Sequence, residues 1–389
     1  MTLTDFAPVS FNKRVPIVDM LRGWALLGVV LMNYSDFFSM GAPDNYKPDV
    51  FNNILLTGGS ILFASKSWTL LSFLFGYGFA VLMQNTANKG IDTNSFFLKR
   101  MFWLFVIAFF NSMFFFGDIL KDYAFLGIIL LMFQKCSVKT SLYIAALLFL
   151  LIPLVTSLVI NFTGPASFGI LAPYFPLYKS HSLLQIFWFG LLGTWKGQVI
   201  NLNCTGTVHT VMFCCFMMGL AAKKAAFFEN IMVNKRAVIK IWAVSLALLI
   251  VIIILNLSLR KPALIAKYYN PDYWVVLVTM TFTTASLCWL YVAGALKTFF
   301  AAMQSIGKMT LTNYIMQNVI SIFLFSGFGF GLALTQRIAA VWYYLIALLV
   351  YVLQVYLSKW WLKYNYYGPV EWLWRQLSYG KRLGIKIKN

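Results

Sequence analysis

Long apolar runs, separated by short polar ones, occupy most of this chain. A helix needs about 20 apolar residues to cross a bilayer, and most of the runs approach or reach that length. Charged residues make up only 11% of the chain, whereas soluble domains carry about 25%. Unbroken runs also exclude a β-barrel, whose strands alternate over about 10 residues. The predicted spans are 17–38, 60–84, 101–116, 122–134, 140–161, 207–222, 239–257, 274–296, 311–333 and 338–358.

The pattern predicts an all-α polytopic integral membrane protein with about ten transmembrane helices. Residues 1–389 form a single membrane domain in this interpretation, with short tails at 1–16 and 359–389. The outer loop, 162–206, contains a further apolar run at 183–195. That run is too short for a span, so it is interpreted as interfacial or re-entrant.

Basic residues set the orientation, because cytoplasmic loops are enriched in Lys and Arg. With both termini inside, 22 of the 31 Lys and Arg residues fall on the cytoplasmic side, eight fall outside, and Lys66 lies within a span. A crossing at 183–195 would remove most of this asymmetry. The net charge of +20 is therefore explained by topology, and nucleic-acid binding is not predicted.

Cysteine and histidine patterns do not predict a metal site. The five cysteines form no C-x-x-C motif. His181 and His209, the two histidines of the sequence, lie 28 positions apart. The first apolar run contains Asp19 and Arg22 and lacks a small-residue cleavage site, which indicates a retained helix rather than a signal peptide.

Polar residues within spans are costly and mark candidate functional positions. In the first span Asp19, Arg22, Asn33 and Asp36 fall within about 100° on one helical face. This face either carries an ion pair and interhelical hydrogen bonds or lines a polar cleft. Both interpretations stay open.

The ninth span carries a second polar stripe at helical spacing. Interhelical hydrogen bonding and a cleft lining explain the stripe equally well. Its members are Thr310, Asn313, Tyr314, Gln317, Asn318 and Ser321.

The third and fourth spans meet in a tight turn around Asp118. Asn111 precedes Asp118 by seven residues, so the two share a face if the helix continues. The turn is either structural, with Lys121 pairing an aspartate, or part of an acidic cluster of Asp36, Asp118 and Asp122 at the outer mouth of a cleft. Carboxylates in such a cluster could act as general base toward a hydroxyl.

Five motifs in the same order resemble the YeiB-like family, catalogued as domain of unknown function 418. The motifs span 17–28, 70–79, 117–127, 307–317 and 361–375. The family is similar to membrane acyltransferases, including the lysosomal heparan-sulfate acetyltransferase and bacterial polysaccharide O-acetyltransferases. Family members usually carry a histidine seven residues before the motif aspartate, and this chain has Asn111 there. The resemblance implies an acyltransferase whose histidine-dependent chemistry is in doubt.

We therefore expect transfer of an acyl group, such as acetyl, from cytoplasmic acyl-CoA to an envelope carbohydrate or lipid-linked saccharide. A transporter or lipid flippase using the same cleft, or a non-catalytic scaffold, remains the alternative. Acyl-CoA is the expected co-substrate, and no tightly bound cofactor or metal is expected. The expected partners are membrane lipids and an envelope glycan, a homo-oligomer is left open, and the location is the bacterial cytoplasmic (inner) membrane.

Each candidate residue has an assigned role. The catalytic candidates are Asp118, Asn111, Asp36 and His209, the last as a substitute for the missing histidine. The candidates for binding the co-substrate are Arg22, Lys308, Arg375 and Asp19. The candidates for lining the cleft are Asn33, Asn313, Tyr314 and Gln317.

Reporter fusions test the predicted orientation. Fusions after Asn88, Glu229 and Asn389 should report cytoplasm, and fusions near Pro43, Gly164 and Lys267 should report the outside. Inverted results beyond residue 200 would show that 183–195 crosses the bilayer.

Overall fold

The computed structural model describes residues 14–40, 49–90, 92–164, 168–259, 267–330 and 332–387. These residues are largely helical, and an isolated antiparallel bridge joins Asn365 to Lys386. The α-helices are α1 Pro16–Met32, α2 Val50–Leu62, α3 Lys66–Ala87, α4 Thr93–Phe114, α5 Leu120–Leu131, α6 Val138–Thr163, α7 Phe175–Tyr178, α8 Leu183–Thr194, α9 His209–Lys224, α10 Lys235–Leu259, α11 Asp272–Val292, α12 Lys297–Gly307, α13 Thr310–Phe325, α14 Ala340–Trp361 and α15 Pro369–Tyr379.

The prediction of an all-α, multi-pass membrane protein is confirmed. Within the described residues, eight helical segments are long and apolar enough to cross a membrane. They are α1 with its π-helical extension, α2 joined to α3, α4, α6, α9, α10, α11 and α14. Each predicted span corresponds to a helix, and the orientation of the helices stays a prediction.

Two of the ten predicted spans are too short to cross a bilayer as helices. Helix α5 has 12 residues and α13 has 16, about 18 and 24 Å at 1.5 Å per residue. Each has one end at buried, non-helical backbone. Asp118 lies just before α5 and Ser326 just after α13, and both residues are buried. Irregular backbone at membrane depth is tolerated where it is buried in protein.

Helix α1 lies at the centre of the bundle and α10 at its edge. In its most apolar stretch, the segment that begins with α1 is 78% buried, whereas α10 is only 17% buried. Exposed leucine, isoleucine and valine side chains cover α10, as expected for a helix that faces lipid. The polar face of α1 is therefore directed at other helices.

Reciprocal glycines allow two helix pairs to approach closely. A Cβ on Gly76 of α3 would lie 2.1 Å from the Phe216 carbonyl oxygen, and one on Gly219 of α9 would lie 1.9 Å from that of Phe73. In the same way, Gly23 of α1 lies against the backbone of Met303, and Gly307 of α12 lies against the backbone of Asp19. Small residues at crossings are a common means of packing helices in lipid, and here they bring Gly307 against the start of α1.

Helix α6 contains Pro153, which cannot donate a hydrogen bond to the carbonyl four residues earlier. The indole Nε1 of Trp274 donates to that carbonyl, Phe149 O, at 2.5 Å. The indole also stacks on the Phe149 ring, with centroids 5.2 Å apart. A neighbouring helix thus satisfies the backbone group that proline frees.

Some predicted boundaries are wrong. The second span, 60–84, contains a break at Phe63–Ser65, where Ser65 has φ +60°. Lys66 is therefore the first residue of α3 rather than a residue in the middle of a span. Its ammonium donates to the Ser60 carbonyl. The ninth span ends at Phe325 rather than 333.

The 183–195 run forms α8, which packs on the end of α4. A Cβ on Gly190 would lie 2.5 Å from the Ser112 carbonyl. At 12 residues α8 is shorter than a span.

Candidate active site

A cavity of about 600 Å³ opens at the end of the bundle where α1 begins and α3 ends. Ligand sites typically measure about 300–1,000 Å³. Arg14 and Lys89 lie on connecting segments at the mouth, and Leu26 and Leu104 lie deeper on α1 and α4. Since these leucines come about ten residues after the starts of their helices, the cavity enters the bundle by roughly 15 Å.

The mouth of the cavity is strongly basic. Three acidic residues, Asp19, Glu229 and Glu371, line it together with seven basic ones. The basic residues are Arg14, Arg22, Lys89, Arg100, Lys223, Lys308 and Arg375. The excess of positive charge favours an anionic ligand, because Arg and Lys are the residues that bind phosphate and carboxylate.

The predicted Asp19–Arg22 pair forms at the mouth. Arg22 Nη1 donates to Asp19 Oδ1 at 3.0 Å, while 31% of the Arg22 side chain and 5% of the Asp19 side chain are exposed. Asp19 Oδ2 is buried and accepts no hydrogen bond from the described residues. Arg22 is therefore oriented by Asp19 and still reaches the cavity.

Two further guanidinium groups are held by aromatic rings. Arg100 lies 3.7 Å from the Trp374 ring centroid, and Arg375 lies 4.4 Å from that of Tyr367. Neither forms an ion pair within 4 Å in the described part of the chain. Ring stacking leaves the planar N–H edge available for a bidentate anion.

Helix α15 closes one side of the mouth through Glu371. Its Oε1 accepts the backbone N–H groups of Leu311 and Thr312 at 2.7 and 3.1 Å, and its Oε2 accepts the Thr312 hydroxyl. The carboxyl thereby caps the N-terminus of α13, which attracts negative charge. Burial nevertheless raises the pKa of Glu371 above its ordinary value, and the Thr312 hydrogen bonds oppose that shift.

At the deep end, Tyr314 of α13 lies between the cavity and Asp118. Its hydroxyl donates to Asp118 Oδ1 at 3.2 Å, and Asn111 Nδ2 donates to the same oxygen at 2.8 Å. Asn318 Nδ2 donates to Asn111 Oδ1 at 3.2 Å. Asp118 is 0% exposed, and its Oδ2 accepts no hydrogen bond from the described residues. We call Asn111, Asp118, Tyr314 and Asn318 the buried network.

The seven-residue spacing of Asn111 and Asp118 predicted a shared face only if α4 continued to Asp118. The buried network forms although α4 ends earlier. The helix ends at Phe114, and the chain turns back through Gly117 so that Asp118 returns to the side chain of Asn111. A Cβ on Gly117 would lie 2.5 Å from the Phe115 ring, so the turn fits a residue without a side chain.

The polar stripe of α13 divides between two neighbours. Tyr314 and Asn318 face the buried network. Asn313 Nδ2 donates to Ser358 Oγ at 3.0 Å, and Gln317 Nε2 donates to Gln354 Oε1 at 2.8 Å, both on α14. Of the four cleft candidates, Tyr314 alone is among the residues that line the cavity.

Of the two interpretations of the turn, the structure favours the structural one over an acidic cluster at an open mouth. The side chain of Asp36 is exposed, whereas Asp118 and Asp122 are buried at 0% and 6% exposure. Lys121 pairs with Asp122 Oδ2 at 2.9 Å and donates to the Asp118 carbonyl oxygen rather than to its carboxylate. Asn33 is buried outside the cavity lining.

His209 contacts Asp122, which is not part of the buried network. Its Nε2 lies 3.0 Å from Asp122 Oδ1, while Asn111 and Tyr314 occupy Asp118 Oδ1. The structure therefore does not support His209 as the replacement for a histidine at position 111.

Comparisons with known proteins show which proteins the chain is similar to. The model described as protein of unknown function (DUF418) matches residues 221–381. The uncharacterised protein YxaH of Bacillus subtilis is 26% identical over 97% of both chains. An uncharacterised 39.9 kDa protein of Bacillus acidopullulyticus is 25% identical over 98% of this chain and 99% of its own.

The uncharacterised protein YeiB of Escherichia coli is 38% identical over 20% of this chain and 19% of its own. Over the matched segment and these alignments, the chain is similar to the YeiB-like DUF418 family. No solved structure matches it at a significant level. The matching family is described as one of unknown function, so any role proposed for this chain depends on the cavity and the buried network.

Sequence patterns did not single out several residues of this site. Arg14, Lys89, Arg100 and Lys223 were assigned to the positive-inside asymmetry, and nothing local distinguishes them from other cytoplasmic basic residues. Glu371 lies inside the fifth motif, and its motif membership was the signal that could have identified it. The four predicted co-substrate residues, by contrast, all line the cavity, and their role stays a prediction.

Replacing Asn111 tests the buried network. Neutral histidine has one ring donor and one ring acceptor, so Asn111→His can serve Asp118 and Asn318 in the same way and should unfold at a similar temperature. Asn111→Leu should lose roughly 1–3 kcal/mol, because it leaves buried polar groups without partners. Thermal unfolding in detergent measures both, with the exposed Asn230→Leu as control. Equal stability of Asn111→Leu and the wild type would contradict the network.

Proposed function

We propose that this protein transfers an acyl group from acyl-CoA, bound in the basic cavity, to a hydroxyl group of an envelope carbohydrate or lipid-linked saccharide. The observation that carries the proposal is the continuity of the cavity. A mouth lined by seven basic residues leads to the Tyr314 hydroxyl, which contacts a buried carboxylate. The bacterial cytoplasmic membrane is the proposed location, and its lipids surround the exposed apolar faces.

The shape and charge of the cavity suit a CoA thioester. The diphosphate and ribose phosphate require several cations, which Arg22, Lys308 and Arg375 supply at the mouth. Beyond the cations the walls become apolar, with Leu26, Leu74 and Leu104 among them. An extended pantetheine arm would follow this apolar part and bring the thioester toward Tyr314.

The buried network supplies the groups that acyl transfer requires. The acceptor hydroxyl would attack the thioester carbonyl carbon, forming a C–O bond while the C–S bond breaks. The Tyr314 hydroxyl lines the cavity and contacts Asp118 Oδ1, so it would take the acceptor's proton while its own proton passes to Asp118. That proton would then protonate the leaving CoA thiolate.

Asn111 holds the carboxylate instead of acting as base in this proposal. It donates to Asp118 Oδ1 and so holds the carboxylate beside the Tyr314 hydroxyl. An amide cannot take up a proton at neutral pH. A carboxylate therefore replaces the histidine expected from the family resemblance.

Acyl-CoA binding and transfer test the proposal. Arg22→Gln, Lys308→Gln and Arg375→Gln should each weaken CoA binding roughly tenfold or more, because each removes a charged hydrogen bond of about 1.5–3 kcal/mol. The control is Lys139→Gln, an exposed basic residue outside the cavity. Calorimetry in detergent measures the dissociation constants.

Transfer is measured separately, from labelled acetyl-CoA to envelope fractions in sealed vesicles. Asp118→Asn should bind CoA like the wild type and lose at least 100-fold in transfer. Failure of the wild type to consume acetyl-CoA with any fraction would overturn the proposal. Uptake of a saccharide or lipid without that consumption would instead support the transporter or flippase alternative.

A further inference from the structure

Asp122, Cys204 and His209 bring three metal-binding atoms together beside the first turn of α5. A carboxylate oxygen of Asp122, Cys204 Sγ and a ring nitrogen of His209 lie within 4.8 Å of one another. The closest pair is His209 Nε2 and Asp122 Oδ1, at 3.0 Å. We propose that these residues form a zinc site, which goes beyond the proposed acyl transfer and does not depend on it.

Local π-helical geometry explains how Cys204 and His209 come to face the same point. The two residues are five apart, and the intervening segment Asn203–Val208 is π-helical. A π-helix repeats its hydrogen bonds from i to i+5, and such segments occur frequently at functional sites. In a regular α-helix the two side chains would point about 140° apart. The π segment therefore places thiol and imidazole on one face, toward Asp122 in the first turn of α5.

The ligand set selects zinc among common divalent metals. Thiolate and imidazole ligands favour zinc, whereas magnesium and calcium prefer oxygen ligands alone. Zinc binds these atoms at about 2.0–2.3 Å, so atoms up to 4.8 Å apart need to close by about 1 Å around a shared ion. Three protein ligands leave a fourth tetrahedral position for water or another oxygen, as in open zinc sites.

Lys121 is the charged group that faces the site from α5. Its ammonium lies 2.9 Å from Asp122 Oδ2, and it also contacts the Gln198 side chain and the Asp118 carbonyl. This contact fixes the Asp122 carboxylate with Oδ1 toward His209. Ionised Cys204 and Asp122 carry two negative charges, and Lys121 carries one positive charge. The residues around the ion therefore have one net negative charge, which partly offsets the charge of a divalent cation.

The site is enclosed but reachable. The His209 side chain is 15% exposed and that of Asp122 8%, and Cys204 is 9% exposed. An ion bound here would join the first turn of α5 to the start of α9. Because that turn directly follows Asp118, the ion would fix the backbone on which the buried network depends.

Metal content of the purified full chain tests the proposal. After chelator treatment and dialysis against Zn²⁺, mass spectrometry should find about one zinc per wild-type chain. Cys204→Ser and His209→Gln should retain less than a tenth of that amount. The matched controls Cys136→Ser and His181→Gln, each outside the cluster, should retain zinc like the wild type.

A spectroscopic measurement on the wild type requires no variant. Co²⁺ in place of zinc should give a thiolate-to-metal charge-transfer band in the near ultraviolet, and Zn²⁺ should abolish that band. Zinc retention by the wild type below a tenth of an equivalent, or a Co²⁺ spectrum without the thiolate band, would overturn the proposal. Equal retention by Cys204→Ser, His209→Gln and both controls would also overturn it.

Discussion

The hydrogen bond between Asn111 and Asp118 is the interaction on which the site depends. A carboxyl group buried among membrane helices needs polar partners, and Asn111 and Tyr314 provide them from α4 and α13. This contact holds the turn between α4 and α5 inside the bundle. It also explains why α5 is shorter than a span, because this helix begins only after the buried turn.

A basic residue of this chain can orient the protein in the membrane or line a ligand cavity, and the sequence alone does not distinguish these two roles. The same cytoplasmic bias that orients a membrane protein places basic residues at one end of the bundle, where seven of them line a cavity. The packing of the helices decides which of the basic residues line the cavity. Close approach at Gly307 brings Lys308 and the start of α13 to Asp19 and Arg22 of α1, and α15 adds Arg375.

Much of the fold was predictable because hydrophobic runs and helical periodicity are local signals. The contact between Asn111 and Asp118 forms through a turn after α4 ends at Phe114, not through the continuous helix that the spacing assumed. The polar face of α1 and the Asp19–Arg22 pair followed from spacing alone. The division of the α13 stripe between two neighbours did not, because it depends on which helices flank α13. Nor did the Asp122–Cys204–His209 cluster, whose members lie up to 87 positions apart and meet only through a π-helical segment.

The central claim is that one ligand occupies the cavity from its basic mouth to the buried network. An experimental structure with a non-hydrolysable acetyl-CoA analogue at saturating concentration tests this most directly. The account predicts phosphate density beside Arg22, Lys308 and Arg375 and the acyl end of the analogue within hydrogen-bond reach of the Tyr314 hydroxyl. An empty cavity under those conditions, or an analogue bound with its acyl end away from Tyr314, would contradict it.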